Sequence, residues 1–215
     1  PLYSSAASDV YKRQILDFDW VGNADYKDID IEELRKKIQK EHIGHRRQIE
    51  EICTEFEASN ISKIAPKTFC LIGHPDTGIN QLSEIIASSI GSGYSVINLA
   101  GIHMKETEAL TGTSKIYENA RAGLIYERIK EAGVRGALVI EDFDLYDSGI
   151  RNALTPLVEK TNYVDKFIEV AINLTDMFVI VTCSDIKDIP MSLRANMTTI
   201  YFQDAEENEI IKTIN

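Results

Sequence analysis

A short apolar run followed by a loop between two glycines constrains this chain most. Residues 69–80 read Phe-Cys-Leu-Ile-Gly-His-Pro-Asp-Thr-Gly-Ile-Asn. A phosphate-binding loop has glycine, four further residues, a second glycine, lysine, and then serine or threonine. Gly73 and Gly78 hold the two glycine positions. Ile79, however, stands where the lysine belongs, and Asn80 stands where the magnesium-binding hydroxyl belongs. The spacing predicts the scaffold of a nucleotide site without the side chains that grip phosphate.

The other loop residues give a mixed prediction. Backbone N–H groups and the N-terminus of the following helix could still cradle an anion, and Pro75 stiffens the loop. Asp76 adds a negative charge, which at roughly 5 Å from a phosphate oxygen and an effective dielectric of about 20 costs about 3 kcal/mol. His74 would offset this only in its protonated form. Together with Thr77, these residues complete a weakened candidate cofactor-binding loop.

A second candidate cluster follows the apolar run at residues 137–140. Nucleotide hydrolases end such a strand with aspartate, which holds magnesium, and glutamate, which orients the attacking water. Here the order is reversed, as Glu141 and Asp142. Glu141 could still reach a metal, but Asp142 would fall short of the water by about a bond length, and a misplacement of about 1 Å can cost about a hundredfold in rate. The alternative is that both are solvated acids at a strand end.

Short β-rich runs alternate with helical stretches from residue 68 onwards. This alternation, with continuously apolar strands, predicts an α/β fold with a parallel sheet covered on both faces. The predicted strands are 68–72, 94–99, 136–140, 177–182 and 197–202, and the predicted helices are 79–90, 121–132 and 150–161. Before them, residues 31–56 predict two helices with a break at Gly44, and residues 58–67 predict a polar linker.

The composition of the chain limits its possible binding partners and its cellular compartment. The net charge of -11 argues against nucleic acid or an anionic membrane as a general partner. The apolar runs are far too short to span a bilayer. The three cysteines, Cys53, Cys70 and Cys183, are widely spaced and imply no disulfide framework. Cys70 and Cys183 lie inside apolar runs, so we expect them to be buried thiols, which fits a reducing cytoplasm.

The two ends of the chain carry separate predictions. Residues 1–14 lack the apolar core of a signal peptide. Residues 9–14 back-translate to the end sequence of a transposon used in sequencing libraries, so residues 1–14 are interpreted as a non-native arm, with a natural disordered arm as the alternative. Residues 15–67 form a helical lead-in and linker. Residues 68–215 form the α/β unit, which is interpreted as truncated because the helical pattern at 210–215 stops abruptly.

Four further segments carry a known pattern, in order and at nearly its spacing. Residues 40–44 are similar to Asp-His-Tyr-Gly and residues 97–101 to Ile-Ser-Leu-Gly-Gly. Residues 153–170 are similar to Ala-Leu-Leu-Glu-Val-Leu-Asp…Phe-x-Asp-x-Tyr-Leu-Glu-Val, and residues 189–197 to Ile-Pro-Pro-Pro-Leu-Leu-Asp-Arg-Met. From about residue 16 onwards the chain resembles the ATPase module of Lon, the ATP-dependent cytoplasmic protease family of the AAA+ class. The resemblance implies an AAA+ P-loop fold with a five-stranded parallel sheet flanked by helices, preceded by a short helical lead-in.

The resemblance also assigns roles, and many of the assigned positions depart from the family. It places His42 and Ile43 near the adenine, with Ile43 in place of tyrosine. It gives the polar sensor position to Ser184 instead of asparagine. The arginine that acts on the neighbouring subunit's nucleotide aligns with Asn196, and Arg194 is the candidate substitute. Loss at several separate places argues against ordinary hydrolysis.

Tyr117 aligns with the aromatic residue of the family's substrate-gripping pore loop, but Glu118 replaces the aliphatic neighbour. The alternative is an ordinary surface tyrosine. The resemblance further implies ATP with magnesium, a hexameric ring and polypeptide substrates. Asn80 and Glu141 are the only candidate metal ligands, so ATP and magnesium binding should be weak or absent.

These predictions favour a degenerate AAA+ module that acts as an assembly or substrate-handling scaffold. The first alternative is a working ATP-binding and hydrolysing unfoldase module, and the second is a non-functional relic. No Ser-Lys peptidase dyad can be placed in the sequence, so this chain alone should not cut peptides.

Overall fold

The computed structural model describes residues 27–99 and 107–202. The interpretations of residues 1–14 and of the stop at 210–215 lie outside these ranges. The strands of the described part are β1 (Thr68–Ile72), β2 (Tyr94–Ile97), β3 (Ala137–Ile140), β4 (Asn162–Val164), β5 (Ala171–Asn173), β6 (Phe178–Cys183) and β7 (Met197–Tyr201). Five of them form a parallel sheet in the order β2-β3-β6-β1-β7, and β4 pairs antiparallel with β5.

Helices cover both faces of the parallel sheet. In the described part they are α1 (Ile31–Glu41), α2 (Arg46–Ser62), α3 (Ile79–Ile90), α4 (Glu108–Thr111), α5 (Leu124–Ala132), α6 (Ser148–Val158) and α7 (Met191–Arg194). Single 3-10 turns lie at Pro75–Thr77, Phe143–Leu145 and Ile186–Asp188. No helix of the described residues is long and apolar enough to cross a membrane.

The sheet separates two apolar clusters, because successive side chains of a strand point to opposite faces. One cluster joins Leu138 and Ile140 of β3 to α5 and α6. The other joins Ala137 and Val139 to α1, α2 and α3. Every residue of β1, β3 and β6 is buried, as expected for strands covered on both faces. The prediction of an α/β fold with a five-stranded parallel sheet is therefore confirmed.

The helical lead-in differs from the sequence prediction in length. The break is where the sequence predicted it, since α1 ends at Glu41 and Gly44 adopts a positive φ of 81°. However, α2 continues to Ser62, so the connecting segment is 63–67 and not 58–67. The polar composition of the last turns misled the prediction, because most of those residues lie on the exposed side of the helix.

The antiparallel pair β4–β5 was not predicted. Its anchor is Asp165, which is completely buried just after β4. The Asp165 carboxylate accepts hydrogen bonds from the backbone N–H groups of Gly123 (2.8 Å), Phe167 (2.8 Å) and Ile168 (3.1 Å). Gly123 immediately precedes α5, so this helix begins three residues later than the predicted 121–132. The other predicted elements of the α/β part agree with the structure to within three residues at each end, and the short helices α4 and α7 were not predicted.

All three cysteines are buried free thiols. The Sγ atoms of Cys70 in β1 and Cys183 in β6 lie 3.7 Å apart. Both side chains belong to the same apolar cluster. The prediction of buried thiols is confirmed for these residues.

Candidate functional site

The loop between β1 and α3 follows the path that its two glycines require. The Gly73 N–H donates to the Cys183 carbonyl oxygen at 3.0 Å. A Cβ atom at Gly73 would lie 2.8 Å from Thr77 Oγ1 and 3.0 Å from the Phe202 carbonyl oxygen, which leaves no room for a side chain. Gly78 has φ +73°, a region that favours glycine. The backbone scaffold of a phosphate-binding loop is therefore present.

Between the glycines, the chain makes one 3-10 turn. Thr77 Oγ1 donates to the His74 carbonyl oxygen at 2.6 Å and closes this turn. His74 Nδ1 lies 3.1 Å from Asp76 Oδ2, and both side chains point to solvent. The Asp76 side chain is 85% exposed, so water and salt screen its charge. The repulsion of about 3 kcal/mol estimated from the sequence with a dielectric of about 20 is therefore too large.

Ile79 begins α3 and is only 4% exposed. It belongs to the apolar cluster that α1, α2 and α3 form on one face of the sheet. Leu34 and Ile38 of α1 and Leu82 of α3 are members of the same cluster. At the position where a phosphate-binding loop carries a lysine, this chain thus carries a buried hydrocarbon side chain.

Asn80 and Asp142 meet across the site. The Asn80 Nδ2 atom donates to Asp142 Oδ1 at 3.3 Å. Asp142 has φ +51°, and its N–H donates to the Thr182 Oγ1 atom of β6 at 3.0 Å. Sequence reasoning gave Thr182 no role. Thr182 is the one hydroxyl side chain in the otherwise apolar strand β6, and this is the sequence signal that could have identified it.

The Glu141 side chain contacts a different amide from the one that Asp142 contacts. Its Oε2 atom accepts a 2.6 Å hydrogen bond from Asn98 Nδ2, just after β2. Burial raises the pKa of the Glu141 carboxyl; the Asn98 hydrogen bond opposes this rise, and the charges of Glu84 and Asp142 add to it. The two neighbouring acids are therefore bound to two different amides and do not converge on one point.

The segment after β6 is positioned by an acid that sequence reasoning did not single out. Asp144 Oδ2 accepts hydrogen bonds from the backbone N–H groups of Ser184 (3.0 Å) and Asp185 (3.2 Å). The Ser184 side chain, at the predicted sensor position, is exposed. Asp144 is the third acidic residue after β3, following Glu141 and Asp142, and this cluster is the sequence signal that could have identified it.

His42 lies against the loop at the end of α1. Its Nε2 atom is 2.9 Å from His45 Nδ1, and its Cε1 atom lies 3.5 Å from the position that a Cβ atom at Gly78 would take. Burial, with a smaller contribution from His45, lowers the pKa of His42 to about 4, so the ring is neutral at pH 7. The neighbouring Ile43 is half exposed.

The predicted positions for action on a neighbouring subunit are both turned to their own chain. The exposed Asn196 amide donates to Glu159 Oε1 and to the Ser192 carbonyl oxygen, each at 3.4 Å. Arg194 donates from Nε to the Ile189 carbonyl oxygen at 2.7 Å and from Nη2 to the Lys187 carbonyl oxygen at 3.0 Å. Arg194 would have to give up both bonds to reach another subunit.

Tyr117 lies in an exposed turn, with 56% of its surface open to solvent. The base of this turn is closed by a hydrogen bond from the Thr113 N–H to the Arg121 carbonyl oxygen at 2.9 Å. Glu118 is also exposed. Ile116, which precedes the tyrosine, is 83% exposed, and sequence reasoning did not single it out.

The side chains do not fit a magnesium–triphosphate group in this arrangement. The position that needs a cation holds buried Ile79, and both carboxylates already accept hydrogen bonds from amides. Within residues 27–99 and 107–202, no group of three or more His, Cys, Asp or Glu side chains could hold a metal ion. Asn80 and Glu141, the predicted candidate ligands, contact different partners.

The fold nevertheless defines a class of protein. A parallel sheet in the order β2-β3-β6-β1-β7, helices on both faces, and a glycine-bracketed loop from β1 into α3 form an α/β fold consistent with an AAA+ module.

Comparison with known proteins finds similar sequences among Lon proteases. The chain is 26% identical to a Lon protease of Methanosarcina barkeri over 93% of its length, and 27% identical to one of Rickettsia prowazekii over the same share. It is 26% identical to Lon protease 1 of Bacillus subtilis over 97% of its length. These matches show that the chain is similar to Lon proteases, as its motifs implied. No family model matches the chain. The chain spans only 26–29% of the length of these three relatives.

Proposed function

We propose that this chain is a degenerate ATPase module of a Lon-type, ATP-dependent protease, and that it serves as an assembly and substrate-handling scaffold. The observation that carries the proposal is the burial of Ile79 in the core at the lysine position of the loop. An isoleucine has no cation to offer the terminal phosphates, and its packing fixes it away from them.

The energetic consequence is a weak nucleotide site. A hydrogen bond to a charged group contributes roughly 1.5–3 kcal/mol, so the missing lysine alone weakens binding by about ten- to a hundredfold. A magnesium ion would also have to displace the Asn80 and Asn98 amides from the two acids. We therefore expect a dissociation constant for MgATP worse than about 1 mM.

Isothermal titration calorimetry of the purified chain with MgATP tests this directly. The expected result is heat no larger than that of dilution at submillimolar nucleotide, in a sample that circular dichroism shows to be folded. Micromolar binding would contradict the proposal.

One observation favours the alternative, a working ATP-binding and hydrolysing unfoldase module. The loop backbone keeps both glycine conformations, and no side chain caps the N-terminus of α3 by a hydrogen bond. The N–H groups of a helix N-terminus attract phosphate even without a lysine. Release of inorganic phosphate from ATP, abolished by an Asp142→Ala substitution, would support this alternative.

The scaffold role is supported by features outside the nucleotide site. Ile116 and Tyr117 keep an exposed apolar turn where the family grips polypeptide, and the sheet and its core are complete within the described residues. We propose that the protein, at the full length of its relatives, forms a homo-oligomeric ring in the cytoplasm without nucleotide.

The net charge of -11 opposes self-association and is screened by salt, with a Debye length of about 8 Å at physiological ionic strength. Assembly should therefore strengthen from low to moderate salt and should not respond to ATP. Analytical ultracentrifugation of the full-length protein measures this. A monomer at every salt concentration, or assembly only after ATP is added, would rule out the scaffold role.

A further inference from the structure

We propose that Asn80 and Asp142 form an internal bolt that ties α3 to the end of β3 and occupies the place where a divalent cation would act. This inference rests on the proposed function and concerns the regulation of the same site. The bolt is an autoinhibitory contact: it stabilises the ligand-free loop and competes with any metal-bound phosphate.

The backbone aims the Asp142 carboxylate at Asn80. Asp142 directly follows β3 with φ +51°, a conformation that aspartate tolerates better than most side chains. Its N–H donates at 3.0 Å to Thr182, which is fully buried in the neighbouring strand β6. This hydrogen bond ties the backbone of Asp142 to the sheet.

The Asn80 amide can satisfy this carboxylate in only one orientation. With Nδ2 towards Asp142, the amide donates to Oδ1 at 3.3 Å. In the flipped orientation, two oxygens would face each other. Asn80 Oδ1 is buried and has no hydrogen-bond partner among the described residues. The amide thus keeps its bond to Asp142 at the cost of an unsatisfied oxygen. A charged acceptor strengthens this long hydrogen bond.

The neighbouring acid does not share the bolt. Glu141 accepts from Asn98 at 2.6 Å on the side of β2. A metal ion that needs both carboxylates would have to break two separate amide contacts. The loop helix and the strand end are therefore joined by the chain itself, between residues 62 positions apart in sequence.

A double-mutant cycle in urea tests the bolt without nucleotide. Asn80→Ala should lower the folding equilibrium constant about fivefold in the native background. It should lower this constant less than twofold in an Asp142→Gly background, where glycine accepts the positive φ and the partner is absent. Asn98→Ala is the matched control, and its effect should be the same in both backgrounds. Equal losses for Asn80→Ala in the two backgrounds would overturn the proposal.

A second readout tests the inhibitory part, with MgATP as the probe. Once Ile79→Lys supplies the missing cation, adding Asn80→Ala should tighten MgATP binding at least threefold, although alanine offers no ligand to the metal. Equal or weaker binding, including no binding by either variant, would overturn the inhibitory part.

The two failures are distinguishable. Micromolar MgATP binding by the native chain would refute the proposed function. It would not affect the double-mutant cycle, which is measured in nucleotide-free protein. An additive cycle would refute the bolt and leave the weak nucleotide site intact.

Discussion

Replacing Ile79 with lysine restores the missing residue of the phosphate-binding loop, and the structure predicts that this costs stability. Ile79 is 4% exposed within the cluster that α1, α2 and α3 form against the sheet. A fully buried isoleucine contributes about 1.5–3 kcal/mol relative to an exposed one. Ile79→Lys removes the branched hydrocarbon from this cluster.

The lysine stem limits the loss but does not abolish it. Ile79 is the first residue of α3, next to Gly78, so a lysine can turn its ammonium group towards the loop while its methylenes still cover part of the cluster. The void left in the core and the partial desolvation of the ammonium group add to the lost burial. We expect the free energy of unfolding to fall by about 2–4 kcal/mol. Most domains have about 5–15 kcal/mol, so the variant should still fold.

Urea unfolding followed by circular dichroism measures this change, with Ile79→Met as the matched control. Methionine is flexible, apolar and of similar volume, so its loss should stay below about 1.5 kcal/mol. A loss below about 0.5 kcal/mol for lysine, or equal losses for lysine and methionine, would show that Ile79 is not held in the core as argued.

Combining Ile79→Lys with Asn80→Thr should restore MgATP binding but not hydrolysis. Ligand bound only to the folded state stabilises it by about 2.7 kcal/mol at a hundredfold excess over the dissociation constant, so ATP should recover much of the lost stability. Glu141 and Asp142 remain in reversed order, and Glu141 still accepts a hydrogen bond from Asn98, so a phosphate-release assay should stay at background. Measurable turnover would show that the reversed acids are competent. Two further predictions concern buried polar groups outside the loop. The pKa of His42 falls from 6.5 to about 4 on folding, so the stability that the neutral ring contributes is complete above pH 6.5 and is lost as the pH falls towards 4. The full loss is up to about 3 kcal/mol. Urea unfolding at pH 7 and pH 5 should show this loss of stability in the native chain and in the exposed control His74→Gln, but not in His42→Gln. Asp165→Asn should cost about 2–4 kcal/mol, because an amide cannot accept all the backbone hydrogen bonds that the carboxylate accepts; a loss below about 1 kcal/mol in urea unfolding would contradict this role.

The sequence predicted the elements whose signals are local. The helix predicted at 79–90 matches α3 residue for residue, because Gly78 stops the preceding turn and the apolar period begins at once. The hairpin β4–β5 was missed because each strand has only three residues and one buried side chain, too few for a period to appear. Its anchor, Asp165, depends on Gly123, which is 42 residues away.

The site was less predictable than the fold, because its contacts join distant parts of the chain. The glycine pattern gave the loop backbone, but nothing local says that Asn80 meets Asp142 or that Asn98 meets Glu141. The repulsion between Asp76 and phosphate was overestimated for the same reason, since the exposure of Asp76 depends on how the loop lies on the sheet. Side-chain direction is a tertiary property even where the residue type is a strong signal.

The residues that depart from the phosphate-binding pattern in this loop also stabilise the fold around it. A lysine at position 79 would hold a charge beside an apolar cluster and would need a ligand to satisfy it, whereas Ile79 adds buried hydrocarbon between the helices and the sheet. Two nearby acids would repel each other without a metal ion, whereas Asn80 and Asn98 give each of them a donor. The ligand-free state is thus stabilised by the same residues that we propose to oppose nucleotide binding. A module stabilised in this way would keep its shape without nucleotide, which is what the proposed scaffold role requires.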